Sequence, residues 1–193
     1  MGVEPGTRLS HEEYFALERE SDVRHEYLAG KIYALGDSSP VHSELSANVI
    51  AALGTQLRGR GCKVYTGDLR IAIQQLDIYT YPDVSVVCGV PQFSEHQAAL
   101  INPTVIVEVL SPSTAEYDQG QKLLRYQQLA SLRSYILVAQ TAPFIWCLSR
   151  DEGGRWIWSG AEGLASSLAL PSVDCDLSLA EIYGEVTFGE AIA

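Results

Sequence analysis

Two short apolar runs in this chain each carry one carboxylate, and that pairing constrains the fold and its chemistry more than any other feature. The first run is Tyr81-Pro82-Asp83-Val84-Ser85-Val86-Val87, and the second is Val105-Ile106-Val107-Glu108-Val109-Leu110. Runs so rich in Val, Ile and Leu read as buried or half-buried strands. An ionised carboxylate placed among them loses hydration worth several kcal/mol unless a cation or dense hydrogen bonding replaces it. Side chains alternate along a strand, so Asp83 shares a face with Ser85 and Val87, and Glu108 shares one with Ile106 and Leu110. If the strands are neighbours, a divalent ion is the natural source of the missing charge.

The rest of the chain supplies the frame for those strands. Ser10-His11-Glu12-Glu13 is a capping box opening a short helix to about Glu20. His25–Leu35 reads as two strand segments turning at Ala29-Gly30. Ser39-Pro40 starts a second helix, on which Leu45, Val49, Leu53 and Leu57 form one apolar face. Strands are predicted at Lys63–Thr66, Leu69–Ile73, Tyr81–Val87 and Val105–Leu110, with a short helix a candidate within Pro91–Asn102. Ser113 or Thr114 starts a helix whose Leu123, Tyr126 and Leu129 face inward. Strands at Tyr135–Ala139, Phe144–Ser149 and Arg155–Ser159 follow, the last two joined by the turn Asp151-Glu152-Gly153-Gly154. A final capping box is read at Ser178 and Glu181. Helices alternating with strands give an α/β domain with a mixed central β-sheet flanked by α-helices, in one unit over 1–193.

Composition narrows the function classes. An apolar fraction of 47% against 19% charged residues excludes a disordered chain. No apolar stretch is long enough to span a bilayer and no secretory signal opens the sequence, so no membrane partner and a cytoplasmic location are expected. Cys62, Cys88, Cys147 and Cys175 are scattered without a Cys-x-x-Cys pair, and reduced thiols are expected in preference to disulfides or zinc. The net charge of −11 comes wholly from the ends, since residues 31–150 hold nine acids and nine bases. Arg58, Arg60, Lys63 and Arg70 cluster there, as do Lys122, Arg125 and Arg133, so a basic cleft for nucleic acid stays open while strong non-specific affinity does not.

Beyond Glu108 the chain reads Ser111-Pro112-Ser113-Thr114 and then places Asp118, Lys122 and Tyr126 at spacings of four on one helical stripe. Packed back on the sheet, that stripe brings Lys122 towards the two acids. Mg²⁺ or Mn²⁺ on Asp83 and Glu108 would then activate a water, with Lys122 as electrostatic partner. These residues resemble the Uma2-type (DUF820) family, a branch of the PD-(D/E)xK restriction-endonuclease-like superfamily. The resemblance is carried by Pro82-Asp83, by Pro103 through Glu108-Val109-Leu110-Ser111-Pro112-Ser113-Thr114, and by Asp118, Lys122 and Tyr126. Glu26-Tyr27-Leu28-Ala29-Gly30-Lys31 and Ser39-Pro40-Val41-His42 belong to it as well, and it spans about residues 10–185. It implies a restriction-endonuclease-like core and metal-dependent hydrolysis of nucleic acid, DNA first. It also implies a lysine moved from position 110, where Leu110 stands, to Lys122 on the following helix. A non-cleaving relative acting as a nucleic-acid-binding or assembly module is the alternative.

Each candidate also has a structural reading. Asp83 could be a strand-end acid capping a turn after Pro82, Glu108 could sit in a salt bridge, and Lys122 could be a solvated residue paired with Asp118. Glu26, His42 and Glu44 are accessory candidates, and His42 is equally a helix-start histidine. Trp146, Trp156 and Trp158 suit a core or a homodimer interface better than base stacking.

Overall fold

The computed structural model describes residues 8–94, 99–112 and 114–188. In chain order the elements are α1 (His11–Glu20), β1 (His25–Leu28), β2 (Lys31–Ala34), α2 (Pro40–Leu57), β3 (Cys62–Thr66), β4 (Arg70–Ile73), β5 (Ile78–Thr80), β6 (Val84–Cys88), β7 (Ala99–Leu100) and β8 (Val105–Leu110). There follow α3 (Ala115–Tyr117), a π-helical turn over Asp118–Lys122, α4 (Leu123–Tyr126), β9 (Ser134–Ala139), β10 (Phe144–Arg150), β11 (Trp156–Glu162), β12 (Ser167–Leu170), β13 (Cys175–Ser178) and α5 (Leu179–Tyr183).

Local chemistry sets the early elements. Ser10 Oγ accepts from the Glu13 N–H while Glu13 accepts from the Ser10 N–H, closing the expected capping box of α1. Ala29 and Gly30 both take positive φ, 47° and 91°, the backbone of a tight two-residue turn matched to the twist of β1 and β2. Ser39 Oγ caps α2 at His42 N–H, with Pro40 in the first helical position. Leu45, Val49, Leu53 and Leu57 are all buried on that helix.

The strands form a six-stranded sheet in the order β11-β10-β9-β8-β6-β3, a five-stranded sheet β2-β1-β5-β4-β7, and the pair β12-β13. The large sheet is antiparallel except for β8 and β9, which run parallel. One of its faces is covered by α2, α5 and the β12-β13 pair, through Val84, Val86, Val105, Val107, Val109, Ile136 and Val138. The other face meets the small sheet and α4 through Val87, Ile106, Leu110, Leu137, Ile71, Ile73, Leu123 and Tyr126. On the far side of the small sheet, α1 packs Tyr14 and Phe15 on Tyr27 and Tyr79. No helix among the described residues is long and apolar enough to cross a membrane.

Several sequence expectations need correcting. Within 91–102 the described residues hold strand β7 and a bridge from Phe93 to Leu100 rather than a helix, and 95–98 lie outside them. Strands β5, β12 and β13 were not anticipated, each being only three or four residues long. Ser178 does stand at the N-cap of α5 but makes no side-chain cap bond. Thr114 precedes α3, likewise without a side-chain cap, and Ser113 lies outside the described residues. Cys62 and Cys88 are not free thiols. They face each other in the β3-β6 register and form a disulfide, while Cys147 and Cys175 are buried free cysteines.

The disulfide ties edge strand β3 to the strand that leads out of Asp83, closing a loop with a sequence separation of 26. Loop-closure entropy for that length is worth about 3.5 kcal/mol. Replacing both cysteines by serine is expected to lower the unfolding free energy by up to that amount, read from urea denaturation, without altering the far-UV circular dichroism spectrum.

Candidate metal and catalytic site

Strand β8 is central in the large sheet, and its register with β6 pairs Val107 with Val84 and Ile106 with Ser85. The pairing ends there, and Asp83, one residue earlier, lies close enough to Glu108 for its charge to act on that carboxyl. Asp83 stands just outside β6, and its Oδ2 accepts the Val109 N–H at 2.6 Å. The same oxygen lies 3.1 Å from His42 Nε2, which reaches it from the first turn of α2. The acid therefore holds a backbone N–H of the neighbouring strand, rather than capping a turn after Pro82, and stands beside His42.

The lysine is not solvated. Lys122 Nζ lies 2.9 Å from Glu108 Oε1, 3.5 Å from Glu26 Oε1 and 3.6 Å from Asp118 Oδ1. It also donates to the Tyr81 carbonyl at 3.2 Å, just upstream of Pro82-Asp83. Glu26, Glu108, Asp118 and Lys122 are all buried. The π-helical turn that carries Asp118 and Lys122 points both into the protein, a distortion frequent at functional sites.

Glu26, read from sequence only as an accessory residue, is a full member of this cluster. Its Oε1 accepts the Thr80 hydroxyl, and its Oε2 accepts the Tyr117 hydroxyl at 2.8 Å. Tyr117 in turn accepts from Arg125 Nη1 at 2.6 Å. Asp118 was visible as the i−4 neighbour of Lys122, but Thr80 and Tyr117 carried no sequence signal because Glu26 is remote from both in the chain. Glu44 is exposed on α2 and takes no part in these contacts.

Three carboxylates around one ammonium leave an excess of negative charge in a dry site. Burial pushes the Glu108 carboxyl well above the usual carboxylate range; Lys122 pulls it back, while Asp118 and Asp83 push it higher. Asp118 is raised too, again first by burial. Burial alone would favour a neutral Lys122 amine, but Glu108, Glu26, Tyr126 and Asp118 together hold it charged, well above its ordinary value. The ammonium is thus a fixed internal cation, and the surplus negative charge is relieved by a proton on the carboxylates or by a second cation.

The donor set fits a hard divalent ion. Glu108 Oε1 is buried and accepts no aligned hydrogen bond among the described residues, despite its closeness to Lys122. Asp83 and Glu108 offer carboxylate oxygens, and Mg²⁺ takes one or two of these while keeping several waters. Among the described residues no group of three or more His, Cys, Asp or Glu is arranged to hold a metal. An ion at Asp83 and Glu108 would accordingly draw the rest of its shell from water.

The mixed α/β fold is shared with a known family, as comparisons with other proteins show. The family model "Uma2: Putative restriction endonuclease" matches residues 11–180, and the chain belongs to that family. An uncharacterised Synechocystis protein, slr1290, is 34% identical over 184 residues, covering 95% of this chain and 96% of its own. A second from the same organism, sll1609, is 32% identical over 133 residues, 68% of this chain and 75% of its own. A crystal structure described as "a putative nuclease belonging to DUF820" from Anabaena variabilis superposes with a TM-score of 0.74 at 18% identity, covering 93% of this chain and 98% of that one. The fold is the restriction-endonuclease-like one anticipated from the motifs.

Two substitutions separate the structural roles here. Asp83→Ala removes the acceptor of the Val109 N–H and should cost about 1–3 kcal/mol, whereas Asp83→Asn keeps an acceptor and should cost less. Lys122→Met strands three buried acids and should cost about 3–5 kcal/mol near neutral pH. Without the ammonium the folded-state pKa values of Glu108 and Asp118 rise further, so the folded protein binds more protons than the unfolded one. Stability of that variant should fall as pH climbs above about 4.3, the ordinary Glu value, and its deficit against the parent should shrink on acidification. Thermal melts across that pH range read both effects.

Proposed function

We propose that this protein is a metal-dependent nuclease that hydrolyses phosphodiester bonds of nucleic acid, with DNA as the expected substrate. The observation that carries the reading is Asp83 holding the Val109 N–H, next in the chain to Glu108, with Lys122 2.9 Å from Glu108. Family membership supports nucleic-acid hydrolysis in general terms. Asp83 and Glu108 would hold Mg²⁺ or Mn²⁺. The ion, when bound, supplies a lowered water pKa and neutralises charge developing on the phosphate.

The protein's own contribution follows from the geometry. Glu26 and Asp118 keep Lys122 protonated, and Lys122 offers a preformed positive charge to the reacting phosphoryl oxygens without reorganising solvent. Thr80 and Tyr117 hold Glu26 in place, so the lysine is positioned from behind rather than by solvent. Asp83 and His42 have side chains 22% and 14% exposed, against 3% for Glu108 and 7% for Lys122. A phosphodiester therefore approaches from the Asp83 and His42 side, beside the start of α2. The same burial of Glu108 and Lys122 favours the second reading, a nuclease fold that binds nucleic acid or assembles without cutting it.

Metal titration and cleavage assays decide between the two. Because Glu108 holds its proton more tightly than an ordinary carboxyl, metal binding should release protons, and apparent Mg²⁺ or Mn²⁺ affinity should rise with pH. Calorimetry in buffers of different ionisation enthalpy measures that release. Glu108→Gln should abolish both the proton release and any metal-stimulated nicking of supercoiled plasmid. Carboxylate-dependent metal binding with no cleavage of plasmid, linear duplex, single-stranded DNA or RNA would establish the non-cleaving module instead.

A further inference from the structure

The chain crosses between its two main sheets twice at one place. It leaves β3 of the large sheet for β4 of the small one through Gly67-Asp68-Leu69, and it returns from β5 to β6 through Tyr81-Pro82-Asp83. The crossings run side by side, since Thr66 pairs with Val84 at one end of them and Ile71 with Thr80 at the other. Four residues, 67–70, therefore stand against three, 81–83. One residue in excess on one strand is the count of a β-bulge, a device that re-aims a nearby side chain. Asp83, the acid that turns aside to the Val109 N–H, lies in that stretch.

The returning crossing has little freedom. Tyr81 is buried, and its hydroxyl accepts from Arg70 Nε and donates to Glu18 Oε2, both at 2.5 Å. The Pro82 ring fixes its own φ and keeps Tyr81 extended. Val84 is held in the sheet between Thr66 and Val107. What can still shift is the backbone of Pro82 and Asp83, and Gly67 lies against it. A Cβ at Gly67 would stand 3.3 Å from Pro82 O, 3.4 Å from Asp83 O and 3.5 Å from Asp83 Cα. All three are backbone atoms, which cannot rotate out of the way as a side chain would. Gly67 is not among the glycines with positive φ, so close approach rather than dihedral angle calls for glycine here.

The outgoing crossing is fastened in turn. Thr66 O accepts the Leu69 N–H in a tight turn, and Thr66 Oγ1 donates to Asp68 Oδ2 at 3.1 Å. Arg24 Nη1 donates to Gly67 O at 3.0 Å while its Nη2 pairs with Asp68. The same guanidinium lies 5.8 Å from the centre of the Tyr81 ring, so one arginine grips both crossings.

We propose that Gly67 and Arg24 are positioning residues for Asp83 as a metal ligand. The β3–β4 turn, held by Arg24, sets the Pro82 and Asp83 backbone, and through it the distance between the Asp83 and Glu108 carboxylates. This role rests on the metal-binding reading and adds to it the element that places one of the two ligands. Neither residue touches the ion or the substrate; both act through Asp83.

The test compares the full parent chain with Gly67→Ala, Arg24→Ala and a control, Gly54→Ala, whose added methyl would meet nothing within 4 Å. The Val109 amide resonance, read by ¹⁵N-resolved NMR without metal, reports where Asp83 holds its oxygen. Calorimetric titration with Mn²⁺ reads the ligand geometry. Gly67→Ala should displace the adjoining backbone by a few tenths of an ångström, shift the Val109 amide and weaken Mn²⁺ binding about tenfold, the scale of changes made behind a metal ligand. Arg24→Ala, which removes a half-exposed ion pair, should move both readouts the same way by less. The melting temperature should change little in Gly67→Ala, because alanine also restricts the unfolded chain. An unmoved Val109 amide or an unaltered Mn²⁺ affinity in Gly67→Ala overturns the proposal, as does an equal change in Gly54→Ala. If the parent itself binds no Mn²⁺, the metal-binding reading fails, and the Val109 amide alone decides whether the turn sets Asp83. If Gly67→Ala loses its native circular dichroism, Arg24→Ala decides by the same two readouts.

Discussion

Everything distinctive about this molecule converges on the Lys122 ammonium. It is approached by Glu26 from β1, Glu108 from β8 and Asp118 from its own π-helical turn, and it donates to Tyr81 O in the link between β5 and β6. One cation therefore ties the small sheet, the large sheet and the helix that crosses between them. Removing such a group from water costs several kcal/mol, and only close opposite charge and hydrogen bonding offset it. Lys122 has both, which is why a long flexible side chain can be held at a fixed point inside the protein.

The same arrangement explains how a two-carboxylate site can exist without unfolding its strands. With β6 on one side and β9 on the other, β8 makes both of its ladders in apolar company, and Val84, Val107 and Val109 bury the opposite face against α2. The sheet is thus anchored by apolar contacts independent of the acids. Asp83 adds a further constraint by accepting Val109 N–H at the point where β6 has not yet begun to pair. An acid that also closes a backbone bond is fixed in orientation before any ligand arrives, which lowers the cost of ordering it on binding.

What could be read in the sequence follows from which residues break a local pattern. Asp83 and Glu108 were legible because a charge inside a Val and Ile run contradicts its neighbours. Ser10 with Glu13, Ser39-Pro40 and Ala29-Gly30 were legible because caps and tight turns are decided within a few residues. The burial of Lys122 was not legible from the helix alone, where a lysine four residues after an aspartate reads as a surface pair; it came only through the family resemblance. The Thr80 and Tyr117 hydroxyls reach Glu26 across separations of 54 and 91 residues, which no local rule encodes. Cys62 and Cys88 needed the β3-β6 register, and β5, β12 and β13 are too short to show a period.

The register also links the pocket to the rim of the sheet. Glu108 pairs with Leu137, Leu137 with Trp146, and Trp146 with Gly160, one unbroken cross-strand row from the acid cluster to the edge. The row begins with a charge that the protein surrounds and ends at Gly160 on the edge strand, where the Phe144 ring takes the room beside a residue with no side chain. Burial of Leu137 and half-burial of Trp146 make the intervening surface apolar and rigid, so the two ends are held in fixed relation without any polar relay between them. Glu108 needs that rigidity, because a carboxylate held near an ammonium in a dry site loses much of its stabilisation if either group drifts by an ångström. Edge and acid cluster thus draw on the same physical property of the central strands, their close apolar packing. At Glu108 it confines a charge inside the protein, and at Gly160 it lets the Phe144 ring lie against the bare backbone of the edge strand.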